Sequence, residues 1–129
     1  MKRLAMAALV LTLTGVFGLA RPAAAFNEEA VLSCAFAQAL AILTCKNANQ
    51  YSFVGIREGV YIYNSFFGKE FAEFYVQLNG DRAIFTSRIW HGRMPSARIE
   101  RDATAGCVTV AVDPLPCSRT RVARCCGSP

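Results

Sequence analysis

Residues 70–90 read EFAEFYVQLNGDRAIFTSRIW, and this stretch decides the fold. Apolar residues recur at alternate positions on both sides of Asn79-Gly80, the pair that most strongly indicates a two-residue type I′ turn. We therefore predict a β-hairpin in which Leu78 faces Asp81, and this turn sets the register of the strands. One side of the hairpin is then apolar and should face the core, and it carries Ala72, Phe74, Val76, Ala83 and Phe85.

The opposite side of this hairpin mixes aromatic and basic side chains. Surfaces that combine aromatic residues with arginine are typical of the hot spots in protein interfaces. A second interpretation is that another strand or the C-terminal segment covers this side. We predict a protein-binding surface here, made of Phe71, Tyr75, Arg82, Ile84, Arg88 and Trp90.

Strand patterns also flank the hairpin on both sides. Residues 51–56 and 60–66 precede it, and residues 97–101 and 107–112 follow it, each rich in β-branched, aromatic or alternating residues. Glycine, proline and polar residues separate these segments. We expect four to five strands in one curved antiparallel meander.

A helix is predicted before the strands, from Asn27 to Lys46. Asn27 can cap its N-terminus, Glu28 and Glu29 complement the positive end of the helix dipole, and Lys46 would lie in the last turn. The segment between them is apolar almost all round, which is typical of a helix wrapped by the rest of its protein. Docking on a membrane or on a partner is the alternative. The predicted fold is α+β, with one buried N-terminal helix packed on the curved sheet.

The first 25 residues have the pattern of a cleaved signal peptide. Lys2-Arg3 precede an apolar run that ends before Arg21-Pro22, and small residues follow at positions 23–25. An uncleaved anchor and lipid attachment at Cys34 are alternatives. We expect a secreted or periplasmic protein with one α+β domain over residues 26–129, and no stable membrane span after cleavage.

Cleavage would change the charge of the protein. The full chain carries a net charge of +5, whereas residues 26–129 hold eleven basic and nine acidic residues, a net charge of +2. Residues 26–81 have a net charge of −3 and residues 82–129 a net charge of +5, an asymmetry that could steer an acidic partner. The modest total charge, without a recognition motif, argues against nucleic-acid binding.

An even number of cysteines in a small exported chain predicts disulfides, here three. Cys34 and Cys45 would lie about 16 Å apart along the predicted helix, too far for a bond between them. Both should therefore bond to cysteines after Gly106 and hold an irregular, basic tail, residues 117–129, over the helix. The six disulfide cysteines are Cys34, Cys45, Cys107, Cys117, Cys125 and Cys126.

Residues 124–127, Arg-Cys-Cys-Gly, suggest an alternative, because neighbouring arginines favour a reactive or metal-binding thiolate. The two cysteines are adjacent and lack the usual spacing of a metal or redox motif, so we expect structural disulfides. We predict no metal site and no cofactor.

One catalytic hypothesis can be given residues. Small secreted ribonucleases use a carboxylate, an arginine and a histidine, and Glu73, Arg88 and His91 could supply that set. We favour instead an exported, disulfide-stabilised binding module that contacts a protein partner, of the inhibitor or accessory type. The secreted hydrolase is the alternative function, and a helix shared in an oligomer is a third.

Overall fold

The helix and the sheet are built from sequential segments of the chain. The computed structural model describes residues 27–113 and 120–127, so the predicted signal peptide and Cys117 lie outside the described residues. Helix α1 spans Glu28–Thr44. The strands are β1 Ser52–Arg57, β2 Val60–Phe67, β3 Glu70–Asn79, β4 Arg82–Thr86, β5 Ser96–Asp102, β6 Cys107–Val112 and β7 Val122–Cys126. Short 3₁₀ helices cover Ala48–Gln50 and Arg88–Trp90.

The seven strands form one sheet whose spatial order is the order of the chain, and every neighbouring pair is antiparallel. The α+β plan and the antiparallel meander are confirmed, but the prediction of four to five strands is too low. The prediction of an irregular tail is also wrong for residues 122–126. Ala123 and Cys125 are buried there and alternate with exposed residues, so this segment has a strand period and pairs with β6.

The central hairpin forms with a different register from the predicted one. Asn79 faces Arg82, so the turn residues are Gly80 and Asp81 rather than Asn79 and Gly80. Gly80 has φ +67° and Asp81 does not have a positive φ, the pattern of a type II′ turn, which takes glycine at its first central position. The pairing is shifted by two residues, and a shift of two leaves each side chain on its predicted face. The five predicted core residues of the hairpin are accordingly buried.

Helix α1 is capped at both ends. The Asn27 side chain accepts a hydrogen bond from the Ala30 backbone N–H at 3.2 Å, as predicted for an N-cap. Cys45 ends the helix in the left-handed conformation, with φ 61°, and its N–H donates to the Ala41 carbonyl. The prediction that Lys46 lies in the last turn is therefore wrong, because the helix ends at Thr44 and Cys45 is its C-cap.

The sheet curls around α1. The fully buried ring of Phe36 packs edge-on against Tyr61 of β2 and Phe85 of β4, at centroid distances of 5.1 and 6.1 Å. Cys34, two residues earlier, is bonded to Cys125 of β7. One helix thus contacts strands from both halves of the meander, and the predicted burial of the helix is confirmed.

Two disulfides fix the last strand. Cys34 bonds to Cys125 across a sequence separation of 91, and Cys107 bonds to its cross-strand neighbour Cys126 across a separation of 19. Side chains alternate along a strand, so the adjacent Cys125 and Cys126 point to opposite faces and take different partners. The prediction that Cys34 bonds beyond Gly106 is confirmed. Cys45 is also disulfide-bonded.

Two buried tyrosines should make the free energy of unfolding decrease at alkaline pH. The Tyr51 hydroxyl shares a hydrogen bond with Thr44, and the Tyr63 hydroxyl donates to the Ser33 carbonyl at 2.6 Å. Burial raises the pKa of Tyr51 to about 12 and also raises the pKa of Tyr63. In the unfolded chain both ionise near a pKa of about 10, so the unfolded state gains charge first. Stability should be full below pH 10 and fall as the pH rises toward 12.

Denaturant unfolding at pH 8 and pH 11 checks this, with the single tryptophan as the fluorescent probe. The Tyr51→Phe/Tyr63→Phe variant should lose less stability than the wild type between the two pH values. Tyr75→Phe is the control. The Tyr75 side chain is only half-buried, so this variant should retain most of the pH dependence of stability. An equal loss in the wild type and the double variant would contradict the assignment.

Candidate binding surface

The three residues of the catalytic hypothesis lie on separate elements. Glu73 is in β3, Arg88 begins the second 3₁₀ helix, and His91 is its C-cap, with φ 52°. Glu73 accepts a hydrogen bond from the Tyr75 hydroxyl, and Arg88 donates to the Phe71 carbonyl at 2.5 Å. In the described part of the chain, no hydrogen bond joins any two of the three. The ribonuclease hypothesis stays a prediction.

Four of the six predicted binding residues lie on the face of the sheet that points away from α1, and a fifth, Arg88, lies in the second 3₁₀ helix. Tyr75 and Ile84 are half-buried, while Phe71, Arg82 and Arg88 are exposed. The hydrogen bond to Glu73 is the main cause that raises the pKa of Tyr75. The structure therefore presents these five side chains to the outside of the sheet or to its margin.

Trp90 does not belong to this surface. It is 6% exposed, and its ring packs edge-on against Phe74 at a centroid distance of 5.5 Å. The prediction placed Trp90 outside because it extended the strand alternation to residue 90. Strand β4 ends at Thr86, and Ser87 caps the 3₁₀ helix Arg88–Trp90, which turns the indole into the core.

Among residues 27–113 and 120–127, the most exposed contact between two aromatic rings lies at one end of this surface. Phe66 of β2 faces Phe71 of β3 directly, and the two rings touch edge-on at a centroid distance of 5.4 Å. Phe66 is 59% exposed and Phe71 is 43% exposed. We call this pair the aromatic tip, because it sits beside the Gly68-Lys69 turn of the β2–β3 hairpin.

Two cations hold the backbone of the aromatic tip. The Lys46 ammonium donates to the Phe66 carbonyl and also lies 4.1 Å from the ring centroid of Phe67. Arg88 holds the Phe71 carbonyl on the other strand. Both strand ends are thus anchored to other segments, the residue that follows the C-cap of α1 and the second 3₁₀ helix. The aromatic tip is presented on a fixed backbone rather than on a free hairpin end.

The sequence prediction did not include Phe66 among the binding residues. The segment 60–66 is apolar or aromatic on both faces, so its pattern alone does not assign Phe66 to the core or to the outer face. Strand β1 also exposes apolar side chains that the prediction did not single out, namely Phe53, Val54 and Ile56. Phe53 still contacts the ring of Tyr63 at a centroid distance of 5.2 Å.

Cys125 and Cys126 are both in disulfides, so neither is a free thiol in this structure. The alternative of a thiolate site at residues 124–127 is therefore not supported by the described tail. Across residues 27–113 and 120–127, no helix combines the length and apolar character needed to cross a bilayer.

Comparisons with known proteins identify no related protein. No protein-family model matches the chain, and neither the curated proteins nor the solved structures contain a significant match.

Proposed function

We propose that this chain is an exported, disulfide-stabilised binding module that contacts another protein through the aromatic tip. The observation that carries the proposal is the pair Phe66 and Phe71, two large aromatic side chains that touch each other and remain about half exposed. Exposed apolar patches with a polar rim are typical of surfaces that bind a partner. Aromatic anchors at the centre of an interface also supply most of its binding energy.

The surroundings of the aromatic tip support the same proposal. Lys46 and Arg88 fix its backbone, so little conformational freedom is lost when a partner covers the rings. Glu73 and Tyr75 lie on the same face of β3 as Phe71 and form a polar rim joined by a hydrogen bond. An apolar centre with a polar rim is the usual anatomy of a protein interface.

Export is the second part of the proposal. Disulfides persist mainly in oxidising compartments outside the cytosol, and two of them join the last strand to the helix and to β6. The charged and apolar pattern of residues 1–25 is that of a cleaved signal peptide. We infer a secreted or periplasmic location from these two features.

A comparison of three proteins tests the binding site. The wild type, Phe66→Ser/Phe71→Ser and Met94→Ser are immobilised and exposed to the periplasmic and extracellular fractions of the source cells. Met94 is the matched control, since it is an apolar residue, 64% exposed, in the loop between the second 3₁₀ helix and β5. We expect at least one protein to be retained by the wild type and by Met94→Ser, and retained at least tenfold less by the double variant.

Two further measurements make the result decisive. Denaturant unfolding must show that the double variant is as stable as the wild type, because exposed substitutions should change stability little. A photo-crosslinking residue at position 71 should then join the same partner covalently. Retention that is equal for all three proteins would contradict the proposal, and so would a partner that requires Met94 and not the aromatic tip. Self-association that depends on the aromatic tip would mean that it contacts a second copy of this chain, and would contradict the proposal of another protein as the partner.

A further inference from the structure

A second surface lies on the outside of strands β4 to β7, away from the aromatic tip. A groove of about 340 Å³ runs across these strands. Its central row is formed by directly facing residues, Arg82 on β4, Arg98 on β5, Ala111 on β6 and Val122 on β7. All four are exposed. We call this surface the β4–β7 groove.

The central row has a cationic end and an apolar end. Arg82 and Arg98 face each other directly across β4 and β5, and like charges in this position repel. Arg82 donates a hydrogen bond to Ser96 at 2.9 Å, which holds its guanidinium beside the groove. Within residues 27–113 and 120–127, neither arginine forms an ion pair. The two arginines therefore form a repulsive pair that an anion placed between them would relieve.

Other charges in the groove restrict where that anion can sit. Glu100 and Asp113 also line it. Glu100 faces Thr109, which is the next row along the strands, and Arg124 of β7 donates to Thr109 at 3.2 Å. Asp113 follows the end of β6, beyond Ala111 on the opposite side of the central row. Glu100 and Asp113 thus flank the central row on its two sides, and within the row the positive charge is confined to Arg82 and Arg98.

The apolar end of the central row sets a second requirement on the ligand. Neighbouring strands are about 4.8 Å apart, so Val122 lies roughly 10 Å across the sheet from Arg98. Val122 is 49% exposed and Ala111 is also accessible. A ligand that fills the row needs a carboxylate at one end and an aliphatic group at the other. Because the groove lies on an exposed sheet face, an extended peptide can lie across it and place every second side chain on the row.

We propose that the β4–β7 groove binds an acidic peptide segment, with a carboxylate between Arg82 and Arg98 and an aliphatic side chain on Ala111 and Val122. This site is independent of the aromatic tip, since the two surfaces share no residue. Residues 82–129 carry a net charge of +5, which would attract an acidic partner toward this groove.

Fluorescence anisotropy with three labelled octapeptides tests the groove. The first repeats Glu-Ser-Leu-Ser, so that Glu and Leu project from the same side of an extended chain. The second has Lys in place of Glu, and the third has Ser in place of Leu. We call them the Glu-Leu, Lys-Leu and Glu-Ser peptides. The protein should bind the Glu-Leu peptide and bind the other two at least about tenfold more weakly. Arg98→Gln should weaken Glu-Leu binding about tenfold, whereas Arg93→Gln, an exposed arginine outside the groove, should not.

The variants also separate the two ends of the site. Val122→Ser should weaken the Glu-Leu peptide and leave the Glu-Ser peptide unchanged. Arg98→Gln should fold normally, because it removes a like-charge pair rather than a favourable contact. No binding of the Glu-Leu peptide at 1 mM, equal binding of the Lys-Leu peptide, or equal affinity of Arg98→Gln would each overturn the proposal. Amide NMR shifts confined to the aromatic tip would overturn it as well.

Discussion

Replacing Cys34 and Cys125 together by alanine should lower the free energy of unfolding by about 4.5 kcal/mol. The bond between them closes a loop with a sequence separation of 91, so it removes much of the freedom of the unfolded chain. It is also the covalent link between α1 and the last strand. Because a small domain has a total stability of about 5–15 kcal/mol, this loss should bring the protein close to its unfolding threshold.

The second disulfide provides the matched control. Cys107 and Cys126 close a much shorter loop, with a separation of 19, so the Cys107→Ala/Cys126→Ala variant should lose about 3 kcal/mol. Denaturant unfolding followed by the fluorescence of Trp90, which is buried in the core, measures both variants. A larger loss for the shorter loop than for the longer one would show that loop closure is not the main contribution.

Phe36→Ala should lower the free energy of unfolding by about 3–5 kcal/mol. The Phe36 ring is fully buried and contacts rings on β2 and β4, so its removal leaves a cavity where the helix meets the curled sheet. The surrounding residues are held by strand pairing and cannot collapse into that space. The same unfolding measurement applies.

Phe66→Ala is the control for this variant, because it deletes the same side chain from an exposed position. Its effect on stability should stay within about 0.5 kcal/mol. A loss for Phe66→Ala that matches the loss for Phe36→Ala would mean that the aromatic tip is part of the fold rather than a surface for a partner.

The faces of the central hairpin could be predicted from the sequence, but its register could not. Apolar residues at every second position assign Phe74, Val76, Ala83 and Phe85 to the core, and their burial follows. A shift of two residues preserves that assignment, so the apolar pattern cannot distinguish the two registers. The choice depended on the turn, where Gly80-Asp81 competed with Asn79-Gly80 and formed instead.

Two further differences come from short elements that contradict their local composition. Residues 122–126 contain one arginine and two adjacent cysteines, yet Ala123 and Cys125 give enough buried alternation for a strand once β6 is available as a partner. Trp90 enters the core because a single 3₁₀ turn interrupts the strand period. Tertiary context decides both cases, and no window of the sequence contains that context.

The candidate surfaces could also be predicted only in part from the sequence. Phe71 could be predicted from the alternation of β3, whereas Phe66 could not, because β2 is apolar or aromatic on both faces. The contacts that hold them could not be predicted, because Lys46 and Arg88 reach carbonyl groups 20 and 17 residues away. The facing of Arg82 and Arg98 likewise depends on the pairing of β4 with β5.

The covalent ring closed by Cys34 and Cys125 has a consequence for proteolysis. The ring contains β1 to β6 and their connecting turns, including the exposed Gly68-Lys69 turn. Exposed turns of this kind are where proteases cut first. A single cut there adds one water molecule and releases nothing, because the two pieces stay joined through the disulfide and through paired strands. A nicked molecule would therefore keep the outline of the intact one and gain only the mass of one water, until a reductant and a denaturant together separated its pieces.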